Sequence, residues 1–503
     1  MTAILWHRSD LRVYDSPALA ATEDHDEVYP VFVVDPELYD EGPNCDARVE
    51  FVLRCVEELD GRYSSMGSSV SVLHGKSVPR LSAAADEHDA TVYYRRDVNA
   101  GYPRERDRRA EKAGFVGVGD DGIVREENPR KDWSERTERW FESPMYEPPE
   151  TLPENRVDDD TTVEGALEGY GVEPKKPVPE PGEAAGLDRL EEFLGRMDGY
   201  VGSISPPYDA EGNRDGEGTS YLSPYFSVGA LSLRLAYRRA KSKKGNKKAV
   251  EAFIERLFWN RHYTQKLYDF PDLTERAVNP VYRGMNRNSH DPGLVRVWKE
   301  GKTGYPLVDA GMRALTDRGW LNFRTRAMVA SFFTYILKQP WWIGARHMRR
   351  ELIDGDTAIN YAQWQAQSGL VGVHPNRMYN PTKQAHENDP DGRYIRKYVP
   401  ELRPLPDGHI AEPWKAPESV QQEVGVMVGE GGEYPEPVVE YEKEAQRARE
   451  AFAAVSDRAR EALSEPEVYE RASLPERHPR DELTATSYPE PEESDQAELD
   501  DFG

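Results

Sequence analysis

A chain of 503 residues, 38% hydrophobic and 31% charged, has room for two or three domains with sizeable cores. Its net charge of −26, from 91 acidic and 65 basic residues, excludes a generally basic nucleic-acid binder. It predicts acidic tails together with an acidic coat suited to the high salt of a halophile, where the Debye length falls to ~3 Å. Contact with DNA would then need a local basic groove. Two cysteines, Cys45 and Cys55, exclude a four-cysteine iron–sulfur cluster and fit neither a zinc site nor a disulfide framework. A reducing cytoplasm without a metal centre is expected. The N-terminus does not read as a signal peptide, and the apolar run near Met328 to Leu337 is too short to span a bilayer.

Residues 1–130 alternate strands with helices. Strands are predicted at Ala3 to Trp6, Val28 to Val34, Val70 to His74 and Thr91 to Tyr94. Helices are predicted from Ser16, over Arg48 to Tyr63, and around Pro79 to Asp86, the proline in its first turn. This βαβ order implies an α/β domain with a parallel sheet and ligands at the carboxyl ends of its strands. His7, Arg8 and Asp10 follow the first strand, and Asp97 and Asn99 the fourth. No GxGxxG or P-loop is present, so the common dinucleotide and nucleoside-triphosphate sites are not expected. Residues 131–186 turn to Pro, Glu and Asp and read as an extended surface linker. Residues 187–414 show apolar spacing of three and four, as in AVEAFIERLFWNRHYTQKLY, and read as an all-α domain. Trp259, Trp298, Trp320, Trp341, Trp342 and Trp364 fall there, as core residues or as a stacking or electron-transfer system. Residues 415–503 read as an acidic extension, with one charged helix at Tyr441 to Leu463 and a disordered tail from Ser473.

Four stretches could carry chemistry. Asp356, Asn360 and Trp364 stand at i, i+4, i+8, which on a helix forms one stripe of carboxylate, amide and indole, with Asp354 and Gly355 at the helix start. Such a stripe could hold a flat, polar-edged aromatic ligand; a capped amphipathic helix with a core Trp satisfies the same spacing. Thr219, Ser220 and Ser223 stand at a predicted helix start, where hydroxyls suit a phosphate or simply cap the helix. Tyr208 and Arg214 lie in the Gly- and Asp-rich loop before it. Arg324 and Arg326, set among apolar residues, need partners, and Asp354 and Asp356 are the candidates. The run RRAKSKKGNKK, Arg238 to Lys248, is the most basic patch, either a solvated loop or a phosphate-contacting surface.

Together these segments resemble the cryptochrome/photolyase family. TSYLSPYFSVGALS is similar to its flavin-phosphate segment, GKTGYPLVDAGMRAL to the signature before its flavin-edge arginine, and DGDTAINYAQWQ to its core flavin motif. NPTKQ with DPDGRYIRKYVPELR resembles its closing segment, and WHRSDLRVYDSPAL its opening. The resemblance covers residues 1 to about 414 without the linker. It implies a Rossmann-like N-terminal antenna domain that can hold a second chromophore, and an all-α C-terminal domain that binds FAD. Carried over by motif, Tyr208, Thr219, Ser220, Tyr221, Leu222 and Ser223 would contact the phosphates and ribityl chain. Arg326 would pair with Asp354 beside the isoalloxazine ring, with Gly355 and Asp356 at its edge and Asn360 facing N5. Trp364 would be the first electron donor and Trp341 the second.

The lesion-binding pattern departs from the family. In ERLFWNRHY, Trp259 and Tyr263 stand in place, but Arg256 occupies a glutamate position and Asn260 an arginine position. In WLNFRTR, Phe323 replaces an asparagine, with Asn322 one residue earlier. Asn288 stands where the outer Trp of the electron chain is expected, and Trp298, Trp342 and Tyr335 are the substitutes in view. Ala100 replaces a folate-binding glutamate beside Asn99. Trp259, Asn260, Tyr263, Phe323 and Arg214 are the expected substrate contacts. The function implied is a monomeric, cytoplasmic, light-driven enzyme repairing cyclobutane pyrimidine dimers in DNA; the alternative is a cryptochrome-type photoreceptor without repair activity.

Overall fold

The computed structural model describes residues 1–39, 44–126, 128–200, 219–372 and 378–472. They form two compact units: the described parts of Met1–Tyr200 with Ser220–Pro271 and Arg349–Ala358, and the described parts of Val201–Thr219 with Asp272–Met348 and Ile359–Gly503. The expected boundary near residue 187 is therefore not where compactness changes. Helices Gly182–Gly195, Leu233–Ser242 and Lys247–Asp269 share one hydrophobic core with the sheet through Phe193, Tyr237, Phe253 and Leu257.

The sheet has five parallel strands in the order β3-β2-β1-β4-β5: β1 Thr2–His7, β2 Glu27–Val34, β3 Ser71–His74, β4 Ala90–Arg95 and β5 Val116–Val118. The four predicted strands are present. The fifth, VGV, is too short and too weakly apolar to read from sequence. Successive residues of β1 and β2 feed opposite cores. Ala3, Leu5, Phe32 and Val34 meet Phe51 and Leu59 of helix Asp46–Ser65, while Ile4, Trp6, Val31 and Val33 meet Leu81 of helix Ser77–His88.

Residues 131–186 correct the expectation of an extended surface linker. They include helices Trp133–Glu142 and Val163–Gly169, and Trp133, Phe141, Val157 and Leu167 are buried. Their acids also close the β3 edge. Val72 N–H donates to Asp159 Oδ1 and His74 N–H to Asp160 Oδ1, both at 2.5 Å, and Asn155 Nδ2 donates to the carbonyls of Pro30 and Ser69. A polar composition here serves a sheet edge, whose unpaired N–H groups need acceptors.

The second unit is helical. Helix Phe323–Ser331 continues into a π-turn at Phe332–Ile336, a local widening that frequently marks functional sites. The acidic extension is folded as far as Ala472. The span expected as one helix, Tyr441 to Leu463, holds two, Tyr441–Ala453 and Ser456–Ala462, and helices Glu418–Val424 and Pro466–Ala472 flank them. Phe452 packs on Tyr335 and Tyr282, Tyr434 Oη donates to buried Asp309 at 2.5 Å, and Arg471 pairs with Asp272 at 2.8 Å. The tail expected from Ser473 lies outside the described residues. Among the described residues, no helix is long and apolar enough to cross a membrane.

Candidate functional site

In the first unit, the segment before helix Ser223–Val228 is bent by Tyr221, a non-glycine residue at φ +54°. Arg189 holds that bend, its Nε donating to Ser220 O at 3.0 Å and its guanidinium lying 5.7 Å over the Tyr221 ring. Leu222 is buried, and Ser223 Oγ donates to Asp354 Oδ2 at 2.6 Å. A hydroxyl of the phosphate motif and a carboxylate of the flavin motif, 131 residues apart, thus meet directly. Gly355 is required between the two aspartates, because a Cβ there would stand 2.7 Å from Arg349 O and 3.0 Å from Leu352 O. Arg48, half-buried on helix Asp46–Ser65, donates to Ile353 O at 2.7 Å. Burial lowers its pKa, opposed by Cys45, Asp354 and Asp356. Neither Arg189 nor Arg48 carries a motif, and sequence reasoning missed both.

A cavity of about 90 Å³ lies at the carboxyl ends of β1 and β4, the point where strand order reverses. Ser9, Arg12, Arg95, Asp97, Asn99, Arg261 and Asp356 line it, as does buried Arg234, whose guanidinium pairs with Asp15 and with Asp120 at 3.1 Å. Burial pushes the Arg261 guanidinium down to about 10, against the opposing charge of Asp121. The cavity is smaller than the ~150 Å³ space known to admit benzene and suits water, not an aromatic chromophore. Asn99 borders it.

Helix Lys247–Asp269 carries the expected substrate residues. The rings of Trp259 and Tyr263, one turn apart and half-buried, lie 5.4 Å apart at 38°. His262 packs edge-on to Trp259 at 5.0 Å and to Trp133 at 5.8 Å. Asn260 Oδ1 accepts from Arg261 Nε at 3.1 Å and Nη2 at 2.6 Å, so its oxygen is engaged within the helix. Arg256 pairs with Glu255 at 3.4 Å.

In the second unit, helix Thr357–Gln367 begins one residue after Asp356, so only Asn360 and Trp364 of the predicted stripe are helical. Both are buried, at 6% and 2% exposure. Asn360 Nδ2 donates to Ala345 O at 3.0 Å, which leaves one N–H and the amide oxygen to offer. Trp364 stands edge-on to Trp298 at 6.1 Å and to Phe333, in the π-turn, at 5.8 Å. Its ring rests on Gly344 of helix Trp341–Glu351, where a Cβ would come within 2.2 Å of the indole. Trp341 is buried beside Tyr361 at 6.2 Å and half-buried Trp342 at 6.4 Å. Trp298, though in contact with Trp364, is fully buried and donates its indole N–H to Val329 O at 3.2 Å. Arg326 Nε donates to Leu321 O at 2.8 Å. Phe323 opens helix Phe323–Ser331, and Asn322 caps it, accepting from Thr325 N–H at 2.9 Å. Thr219 is buried. Tyr208 and Arg214 lie outside the described residues.

Residues 253–454 match the FAD binding domain of DNA photolyase, and residues 3–114 match DNA photolyase. The chain is 30% identical to a deoxyribodipyrimidine photo-lyase of Synechococcus, over 92% of this chain and 98% of that protein. Its fold is similar to the crystal structure of a class III photolyase from Agrobacterium tumefaciens, with a TM-score of 0.77 and 27% identity over 90% of this chain and 97% of that one. It is also similar to an archaeal photolyase from Sulfolobus tokodaii solved with two FAD molecules, with a TM-score of 0.73 and 26% identity over 90% and 100%. The chain belongs to the DNA photolyase family.

Proposed function

We propose that the protein is a deoxyribodipyrimidine photo-lyase, a light-driven flavoprotein that splits cyclobutane pyrimidine dimers in DNA as a cytoplasmic monomer. The observation that carries this reading is the buried amide–indole pair Asn360 and Trp364 on one helix, inside the segment that matches a flavin-binding domain. FAD, when bound, supplies the light absorption and the electron that opens the dimer. The donor set suits it: hydroxyls for phosphates, carboxylates and a guanidinium for a polar ring edge, and an amide for N5. Thr219, Ser220, Tyr221, Leu222 and Ser223 would hold the phosphates and ribityl chain. Arg326, Asp354, Gly355 and Asp356 would hold the ring's polar edge, Asp354 being fixed by Ser223. Asn360, anchored by Ala345, would offer its remaining amide atoms to the ring. Trp364 would be the first electron donor to bound FAD, with Trp341 placed as the second donor. Trp342, edge-on to Trp341 and half-exposed, serves as outer donor in place of Asn288. Trp259 and Tyr263 offer a stacking platform to a dimer flipped out of the helix, with Asn260 next to Trp259 on the same helix. No general acid or nucleophile is needed.

The test is light-dependent loss of thymine dimers in single- and double-stranded DNA by the protein with pre-reduced FAD, at high salt. Turnover supports repair. No light-dependent turnover on either substrate favours the second reading, a cryptochrome-type photoreceptor. One observation favours that reading: lesion-contact positions are altered or engaged elsewhere, with Asn260 holding Arg261 and Asn322 capping a helix.

A further inference from the structure

The basic run between helices Leu233–Ser242 and Lys247–Asp269 is not absorbed by the flavin or lesion sites. Its first part is neutralised internally: Lys241 pairs with Glu142, and Arg239 with Glu191 at 3.5 Å. Lys243, Lys244, Lys247 and Lys248 differ. Among the described residues none of the four forms an ion pair, even with Glu251 one turn along. Lys244, Lys247 and Lys248 are exposed. Four uncompensated cations within six residues are conspicuous on a chain of net charge −26.

The loop that presents them is fixed. Asn246 caps the second helix, accepting from Lys248 N–H at 3.1 Å, and is tied to Asp198 by its own N–H at 2.9 Å and its Nδ2 at 3.0 Å. Gly245, at φ +145°, packs against the same carboxylate; a Cβ there would lie 2.4 Å from Asp198 Oδ1. The lysines also have a defined relation to the substrate residues. Lys248 and Trp259 are eleven residues apart on one helix, which places them within about 20° of the same line and about 17 Å apart along the axis. That length equals about five base steps at ~3.4 Å each.

We propose that the Lys243–Lys248 loop grips the phosphate backbone of duplex DNA about five base steps from the lesion, at the far end of the helix that carries Trp259 and Tyr263. The inference rests on the repair reading of that helix. Exposed, flexible ammonium groups without aromatic neighbours suit phosphates and carry no base specificity. At the high salt of a halophile the Debye length is ~3 Å, so distant acids are screened while contacting lysines act.

The test compares the full-length protein with the triple variant Lys244→Gln, Lys247→Gln, Lys248→Gln. Binding is measured against KCl on duplexes carrying one thymine dimer, with flanks of ten or of three base pairs. On long flanks the variant's slope of log K against log salt should be shallower by about 2–3, from ~0.9 per lost phosphate contact, with weaker binding at low salt. On three-pair flanks the two proteins should bind alike. Equal slopes on long flanks, or equal losses on both duplexes, overturn the assignment. If the triple variant does not fold, Lys248→Gln alone should shift the slope by about 1, and an unchanged slope overturns it. Wild-type protein that binds neither duplex removes the repair reading and this inference together. The predicted slope change in a protein that repairs nothing in light removes only the repair reading.

Discussion

Gly344→Ala tests whether the seat of Trp364 is as tight as the structure makes it. The new Cβ would lie 2.2 Å from Trp364 Cη2, 2.7 Å from Cζ3 and 3.0 Å from Phe333 Cδ1. Restoring ordinary contact requires the indole to move by about 1–1.5 Å. Two effects oppose. In an unobstructed helix, alanine would stabilise by about 0.8–1 kcal/mol over glycine. Overpacking a buried ring typically costs about 1–3 kcal/mol. The clash wins, and a net loss of up to ~2 kcal/mol is expected in chemical denaturation. The second expectation is functional, since a displaced Trp364 should slow flavin photoreduction. A double-mutant cycle with Trp364→Phe isolates the contact. Phenylalanine lacks the outer indole ring, so Gly344→Ala in that background should be near neutral or stabilising, with a coupling energy of about 1–3 kcal/mol. If Gly344→Ala stabilises both backgrounds by the helix-propensity amount, the packing of Trp364 on this helix is not as described.

Trp364→Phe by itself should slow flavin photoreduction by at least about tenfold, ~1.4 kcal/mol in barrier, when followed by absorbance with an external reductant; unchanged kinetics would remove Trp364 from the donor role. His7 is fully buried, its Nε2 2.8 Å from Tyr63 Oη, and burial lowers its pKa below the ordinary 6.5. The unfolded chain therefore binds a proton below about pH 6.5 that the folded chain refuses, and stability falls from there down through the lowered pKa. His7→Gln should flatten that acid limb of the urea midpoint between pH 5 and 7 while leaving the curve above about pH 7 parallel to wild type; an identical acid limb would exclude His7 as its source. Arg234→Met leaves Asp15 buried without its cation and should cost about 3–5 kcal/mol by urea unfolding. A loss below about 1 kcal/mol would show that the Asp15 site is open to water.

Much of this architecture is legible in the residues themselves. Four of the five strands follow from short apolar runs: β1 and β2, buried on both faces, must be apolar at nearly every position, while β4 buries only Val92 and Tyr94 in alternation. The Asn360–Trp364 stripe and the Thr219–Ser223 segment were visible as spacings, and the family resemblance identified their ligand. The three-residue β5 was invisible because its pairing comes from β4 rather than from its own composition. Residues 131–186 misled because composition reports solvent affinity, and Asp159 and Asp160 satisfy that affinity with β3 N–H groups instead of water. The site shows the same division. Periodicity places an amide or an indole on a helix face. It does not say that Ser223 binds Asp354, that Arg189 braces Tyr221, or that Gly344 is the floor under Trp364. Local sequence thus determined which segments form strands and helices and which residue types each presents, since those depend on neighbours a few positions away. Tertiary structure alone decided the partners, because they come from residues tens to hundreds of positions distant, brought together by the burial of both cores.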